Sequence, residues 1–209
     1  MKTDNLILGI VNHRYANIHS VKKALNYLNC NHIELNNPSD FNEIDAIILP
    51  GVGAFDAAMQ VLNNSGMAKS LIKANLNKTP IFGICLGMQL LFEESEEGSE
   101  KGLGLIEGSV KKIIQIDDIK IPHMGWNQTN YQNKSNIFKN IKNESFFYYV
   151  HSYECVPLNK DVITSYTNYG NKICSSIENE NIIATQFHPE KSGSNGINIY
   201  KNFIDGLVK

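Results

Sequence analysis

The sequence predicts an α/β protein, doubly wound around a mostly parallel central sheet with antiparallel extensions. Three observations point there. Residues 6–11 are a continuous apolar run and residues 44–49, interrupted only by Asp45, read as a second buried strand, the pattern of strands covered on both faces rather than one. Each is followed by a polar or glycine-containing loop and then by apolar residues at helical spacing, the β-loop-α alternation of a parallel sheet. The later half drops the helices and offers short strand-like runs in succession, which reads as antiparallel pairing.

Taken in order, Leu6-Ile7-Leu8-Gly9-Ile10-Val11 opens the sheet and runs into the polar loop Asn12-His13-Arg14-Tyr15-Ala16-Asn17. Ile18, Val21, Ala24, Leu25 and Leu28 then recur on one helical face, with Asn17 or Ser20 available as cap. The second strand, 44–49, ends in Pro50-Gly51-Val52-Gly53. Residues 55–62 and 67–76 read as helices separated by the breaker Asn63-Asn64-Ser65-Gly66. A third strand over 80–84 leads into Gly83-Ile84-Cys85-Leu86-Gly87-Met88-Gln89 and a helical stretch around residues 90–94. Beyond the polar turn at 96–102, strands are expected over 110–116, 146–150, 162–166, 173–177 and 182–187. An Asn- and Lys-rich surface loop is expected over 128–143, and an amphipathic helix over 197–208. No repeat or linker divides the chain, so residues 1–209 are expected to form one domain.

The totals narrow the class. The chain has 209 residues, 42% hydrophobic and 19% charged, with a net charge of −2, an ordinary globule carrying no basic surface for nucleic acid and no membrane surface. No stretch approaches the ~18 apolar residues of a membrane span, and the N-terminal run is too short for a signal peptide. Cys30, Cys85, Cys155 and Cys174 are scattered without CxxC spacing, which fits a reducing, cytoplasmic setting. No His/Cys cluster has metal-ligand spacing, and no cofactor or metal is expected.

Two stretches carry chemistry. A strand ending in G-x-C-x-G and turning at once into a helix has the form of a nucleophile elbow with sulfur in place of serine oxygen. The glycines suit a turn too tight for a Cβ on either side. A thiol at a helix N-terminus is biased toward thiolate. The second stretch is Gln186-Phe187-His188-Pro189-Glu190. His188 follows a strand, so it projects to the same rim as Cys85. Pro189 is expected to hold the next step extended, which turns Glu190 to the same side to orient the imidazole. That is a Cys-His-Glu triad: Cys85 as nucleophile, His188 as base and acid, Glu190 as orienter. The oxyanion of an attacked carbonyl needs donors. The backbone N–H of Leu86 is the first, and the glycine-flanked Val52 peptide supplies a second that is free to face the site or turn away.

These motifs resemble the class I (triad) glutamine amidotransferases, a flavodoxin-like fold. Pro50-Gly51-Val52-Gly53, Pro122-His123-Met124-Gly125-Trp126-Asn127 and Tyr149-Val150-His151-Ser152-Tyr153, together with residues 90–98, look like the glutaminase subunits of imidazole glycerol phosphate synthase. The likeness covers essentially the whole chain. It implies hydrolysis of glutamine to glutamate and ammonia through a thioester on Cys85, with Gly53, Gln89, Glu97, Ser152 and Tyr153 holding the substrate. It also implies a heterodimer with a (β/α)₈ cyclase subunit that receives the ammonia for imidazole glycerol phosphate synthesis in histidine biosynthesis, with Asn17, Trp126, Tyr148 and Lys191 at the interface. His123 and His151 read as structural histidines near the site.

One departure stands out. The family usually carries an Asp-Tyr-Gly-x-Gly-Asn-like loop after its first strand. Here Arg14 and Ala16 occupy the glycine positions, so the loop is expected to be stiffer or differently shaped. That departure favours an alternative: a paralogue that feeds ammonia through a cyclase-like partner to a sugar amidotransferase in surface-glycan synthesis. A catalytically silent binding subunit is a third reading. A further expectation is weak glutaminase activity in the isolated chain, raised on docking.

Overall fold

The computed structural model describes residues 6–116, 119–132 and 135–208. Its first half is the alternation the sequence expects: β1 (Ile7–Val11), α1 (Ile18–Tyr27), β2 (Asn31–Leu35), β3 (Ala46–Gly51), α2 (Phe55–Asn64), α3 (Met67–Leu76), β4 (Ile81–Cys85) and α4 (Leu86–Leu90). The second half is β5 (Glu94–Ser95), β6 (Gly108–Lys112), β7 (His123–Tyr131), β8 (Ser145–His151), β9 (Tyr153–Pro157), β10 (Ile163–Tyr169), β11 (Asn171–Asn179), β12 (Ile182–Thr185) and α5 (Gly193–Leu207).

Nine strands form one sheet in the order β2-β1-β3-β4-β12-β11-β10-β7-β8, and β5-β6-β9 form a small second sheet. The segment β2-β1-β3-β4-β12 is parallel throughout, and the strands from β11 to β8 pair antiparallel. The order of the parallel part is that of the flavodoxin-like winding, in which ligands sit beyond the carboxyl ends of the strands.

The unbroken apolar runs have a direct cause in the packing. On β3, Ile47 and Leu49 face one core with Phe55, Leu62, Met67 and Leu71 of α2 and α3; Ala46 and Ile48 face the other, with Val21 and Leu25 of α1 and Tyr200 and Phe203 of α5. Both faces are dry, so no position on the strand can be polar. Helix α1 starts where Asn17 accepts the Ser20 backbone N–H at 3.3 Å, and α3 starts at Gly66, whose φ of 80° suits glycine.

Several expectations need correction. β2, β7 and β9 are strands the sequence did not advertise. The helix after the elbow is α4, over residues 86–90; Glu94–Ser95 is a strand rather than its last turn. The strand expected over 110–116 runs from Gly108 to Lys112, and positions 117–118 beyond it lie outside the described residues. The loop expected over 128–143 is in part the end of β7 and in part a 3₁₀ turn at Asn136–Phe138 that buries Ile137 and Phe138; positions 133–134 lie outside the described residues. Arg14 adopts a left-handed φ of 67° despite its side chain, so the 12–17 loop keeps a turn that glycine would make more cheaply.

Candidate active site

The register of the parallel strands assembles the site. Gly51 pairs with Cys85, and Ile84 with Thr185, so the ends of β3, β4 and β12 lie side by side. The residues that follow each end (Val52 and Gly53, Leu86, and Gln186 to His188) therefore converge on one rim.

Cys85 sits at the turn with φ 54° and ψ −108°, a conformation worth ~1–3 kcal/mol of strain that tight packing must hold. The packing is visible at both flanking glycines. A Cβ on Gly87 would stand 1.7 Å from the Leu49 carbonyl oxygen, and one on Gly83 would meet Leu91, Ala184 and the Gly87 carbonyl at 3.0–3.1 Å. The thiol is 5% exposed. Its Sγ lies 3.8 Å from the Val150 carbonyl and accepts the Gln186 side-chain N–H at 3.6 Å.

His188 is anchored through its backbone. Its N–H donates to the Tyr148 carbonyl at 2.9 Å, and its carbonyl accepts the Ser192 hydroxyl at 2.7 Å. Nδ1 meets Glu190 Oε1 at 2.7 Å, with both side chains almost fully buried. The contact does not arise from the extended step expected at Pro189. Residues Pro189–Lys191 form a 3₁₀ turn, and the turn brings the carboxylate back against the ring. Nε2 is buried and unpaired among the described residues. Burial alone would depress the imidazole, but the negative charges of Cys85 and Glu190 outweigh it and carry His188 up to about 10. Nδ1 is thus engaged by Glu190 while Nε2 stays unpaired at the cavity that holds Cys85, the placement a proton-transfer group needs.

A cavity of about 270 Å³ opens at this rim and is lined by Cys85, Leu86, His188 and every residue the sequence assigned to substrate: Gly53, Gln89, Glu97, Ser152 and Tyr153. Gln89 is held by two donated bonds, to the Tyr153 carbonyl at 3.2 Å and to Gln186 Oε1 at 3.1 Å. Glu97 Oε2 accepts the Phe55 N–H at 2.7 Å, which caps α2 and fixes the carboxylate at the cavity wall.

The second wall is Val52. Its N–H donates to the Tyr15 carbonyl at 2.7 Å and is turned away from the cavity. The neighbouring Pro50 carbonyl accepts from His13 Nε2 at 2.6 Å, and His13 is fully buried. The 12–17 loop thus grips the end of β3 on both sides of Gly51. Two contributors were missed in the sequence. His13 appears there as one histidine in a polar loop, and Gln186, which orients on the sulfur, sits in the motif without a distinguishing signal.

The residues assigned to a partner do not line this cavity. Trp126 of β7 and Tyr148 of β8 are cross-strand neighbours, their rings 6.2 Å apart at 75°, and Lys191 Nζ lies 5.6 Å over the Tyr148 ring. Trp126 is 56% exposed, with Met124 and Phe146 exposed nearby. Asn17 is half-buried and caps α1.

The family model for class-I glutamine amidotransferases matches residues 10–207. The HisH subunit of imidazole glycerol phosphate synthase from Methanocaldococcus jannaschii is 43% identical over 202 residues, covering 96% of this chain and all of that one. The chloroplastic imidazole glycerol phosphate synthase hisHF of Arabidopsis thaliana is 42% identical over 97% of this chain, which spans only 34% of that longer protein. Among solved structures, PurLQS from Thermotoga maritima superposes with a TM-score of 0.73 at 19% identity, covering 97% of this chain and 99% of that one; this speaks to the fold alone. By the extent of the family match and the identity to HisH subunits, the chain belongs to the class-I glutamine amidotransferase family, among the HisH subunits of imidazole glycerol phosphate synthase.

Proposed function

We propose that this chain is the glutaminase subunit of an imidazole glycerol phosphate synthase, working as one domain that hydrolyses glutamine and delivers the ammonia to a (β/α)₈ cyclase subunit. The observation that carries the chemistry is the buried His188–Glu190 contact of 2.7 Å with its free imidazole nitrogen on the cavity that holds Cys85. The thiolate attacks the glutamine carboxamide carbon, and the carbonyl becomes an oxyanion facing the Leu86 N–H. His188 protonates the departing nitrogen, the C–N bond breaks to release ammonia, and the acyl group stays on the Cys85 sulfur as a thioester. It then takes a proton from water, whose attack on the thioester releases glutamate and restores the sulfur. Glu190 keeps the imidazole oriented and stabilises its charge through both steps.

The Val52 N–H is the missing second oxyanion donor. Rotating the Gly51–Val52 peptide would break its bond to Tyr15 and turn the donor inward, and one such donor is worth ~2.7–4 kcal/mol, or ~10²–10³ in turnover. Docking of the cyclase subunit is the event that drives this rotation. The exposed Trp126–Tyr148–Lys191 cluster is the surface for that partner, since an aromatic pair capped by a cation is the composition of an interface anchor. Among the described residues no helix is long and apolar enough to cross a membrane. The histidine-pathway reading takes precedence over the glycan paralogue because relatives at about 40% identity across nearly the whole chain carry the former name.

Reconstitution with the cyclase subunit of the same genome tests the proposal. Glutamine-dependent formation of imidazole glycerol phosphate, abolished by Cys85→Ala and restored by added ammonium, is expected. A complex that makes the product from ammonium but never from glutamine would overturn it.

A further inference from the structure

Two buried histidines, His123 on β7 and His151 on β8, take no part in the reaction above, although His151 lines the same cavity as His188. Their hydrogen bonds fix their protonation. His151 Nδ1 lies 2.8 Å from the Tyr153 carbonyl, which can only accept, so Nδ1 carries the proton. A neutral ring then has a bare Nε2, and His123 Nδ1, 2.9 Å away, must donate to it. That leaves His123 Nε2 to accept from the Asn127 side-chain amide at 3.2 Å. The amide's other N–H donates to the Asn168 carbonyl at 3.0 Å, and its oxygen accepts the Gln128 N–H at 2.8 Å, so Asn127 can be oriented only one way.

Every bond of this relay has a fixed direction, and the relay ends on the Tyr153 carbonyl, where a second set of donors meets it. The same carbonyl accepts from Gln89, whose second N–H goes to Gln186, whose own amide donates to the Cys85 sulfur. Tyr149 and Tyr169 stack on the two faces of His123 at 4.7 and 4.0 Å, closing it from water. Burial lowers His123 to about 4 and His151 to about 3, and the latter is further depressed by His123 and His188 beside it. The titratable groups facing the pair are therefore Tyr149 and Tyr169 on His123, and Tyr149, His123 and His188 on His151.

Building on the glutaminase reading, we infer that His123 and His151 are positioning residues: a neutral, one-way hydrogen-bond relay that holds the Tyr153 carbonyl, and through it Gln89 and Gln186, in the geometry of the glutamine site. The relay also separates the two histidines of the cavity by role. Both nitrogens of His151 are engaged, so it cannot exchange a proton at the sulfur, whereas Nε2 of His188 has no hydrogen-bond partner among the described residues and can. Partner-facing β7 is tied to the substrate wall by this relay, since Asn127 adjoins Trp126.

The relay is tested by imidazole ¹⁵N NMR of the wild-type chain together with kinetics of the cyclase complex. Both histidines should remain neutral Nδ1–H tautomers from about pH 5.5 to about 8.5. An Nε2–H tautomer or an imidazolium at either would overturn the relay. His151→Asn, whose amide N–H can stand where Nδ1–H stood, should keep KM for glutamine within about threefold. His151→Phe should raise it about tenfold with kcat changed less than about threefold. Equal behaviour of the two variants, or an effect confined to kcat, would overturn the positioning role; if the Phe variant does not fold, the tautomers and a His123→Asn/His123→Phe pair decide. A wild-type complex that fails to hydrolyse glutamine would overturn the glutaminase reading and the positioning role with it, whereas a hydrolysing complex indifferent to these substitutions overturns the positioning role alone.

Discussion

The two walls on either side of the Cys85 sulfur are held very differently. The elbow is locked by packing: Gly87 has no room for a Cβ, Gly83 has room only for a tight one, and the strained Cys85 backbone is set between buried strands. The Val52 wall is half-buried, flanked by Gly53 at φ 104°, and held by a backbone bond to Tyr15 with His13 bracing the nearby Pro50 carbonyl. On the proposed reading, a nucleophile fixed in place stands beside a donor that faces away, the arrangement of an enzyme assembled but not switched on. The difference teaches where control can reside, because a packed core has no second arrangement to offer and a hydrogen-bonded loop does.

The largest expected effect lies on the fixed wall. Cys85→Ala should lower glutamine hydrolysis by the complex at least ~10⁴-fold while leaving the thermal unfolding curve close to wild type, measured as glutamate release and by calorimetry. Gly87→Ala should cost more than ~4 kcal/mol of stability, because the added methyl meets backbone, not a side chain that can move; denaturant titration reads this directly. If that variant folded normally, the elbow would not be the rigid partner in the comparison.

Glu190→Gln acts on the electrostatics behind the fixed wall. His188 is raised to about 10 in the folded protein against an ordinary value near 6.5. The folded state thus favours its protonated form. That stabilisation is fully present below about pH 6.5 and fades as pH rises toward 10. Removing the carboxylate charge should therefore lower Tm most near pH 6.5 and just below, with the gap to wild type narrowing as pH rises toward 10, and shift the His188 titration downward in ¹⁵N spectra. A gap that widened with pH would reverse the sign and contradict the assigned ion pair.

The smallest effect is expected on the movable wall. His13→Leu removes the brace on the Pro50 carbonyl and should change the stimulated kcat by about tenfold, with His13→Gln recovering most of it through its own amide N–H. The comparison would fail if this loop substitution proved as costly to stability as Gly87→Ala.

How much of this was legible in the sequence follows from the same contrast. The buried strands β1, β3 and β4 announce themselves because both faces are covered, and the elbow announces itself because steric limits leave only glycine. β2 has a mostly half-buried strand, Asn-His-Ile-Glu-Leu, and β7 alternates exposed with buried positions in a polar sequence, so neither shows an apolar run. Trp126 and Tyr148 become neighbours only through the β7–β8 register, which no local pattern reveals. His13 is buried by its approach to Pro50, a contact made 37 positions away. The orientation of the Val52 peptide is not encoded locally at all, since its glycine neighbours permit both states. The shape of the 12–17 loop is likewise not legible from residue preference: Arg14 takes a left-handed φ of 67° that its own preference disfavours, its N–H donating to the Asn12 side-chain oxygen at 3.4 Å.

The most direct measurement compares glutamine turnover by the isolated chain with turnover by the same chain bound to its cyclase subunit in the presence of that subunit's nucleotide ligand. A withheld Val52 donor predicts a kcat that rises ~10²–10³-fold on assembly, the worth of one oxyanion hydrogen bond. Full turnover by the isolated chain, unchanged by the partner, would contradict it.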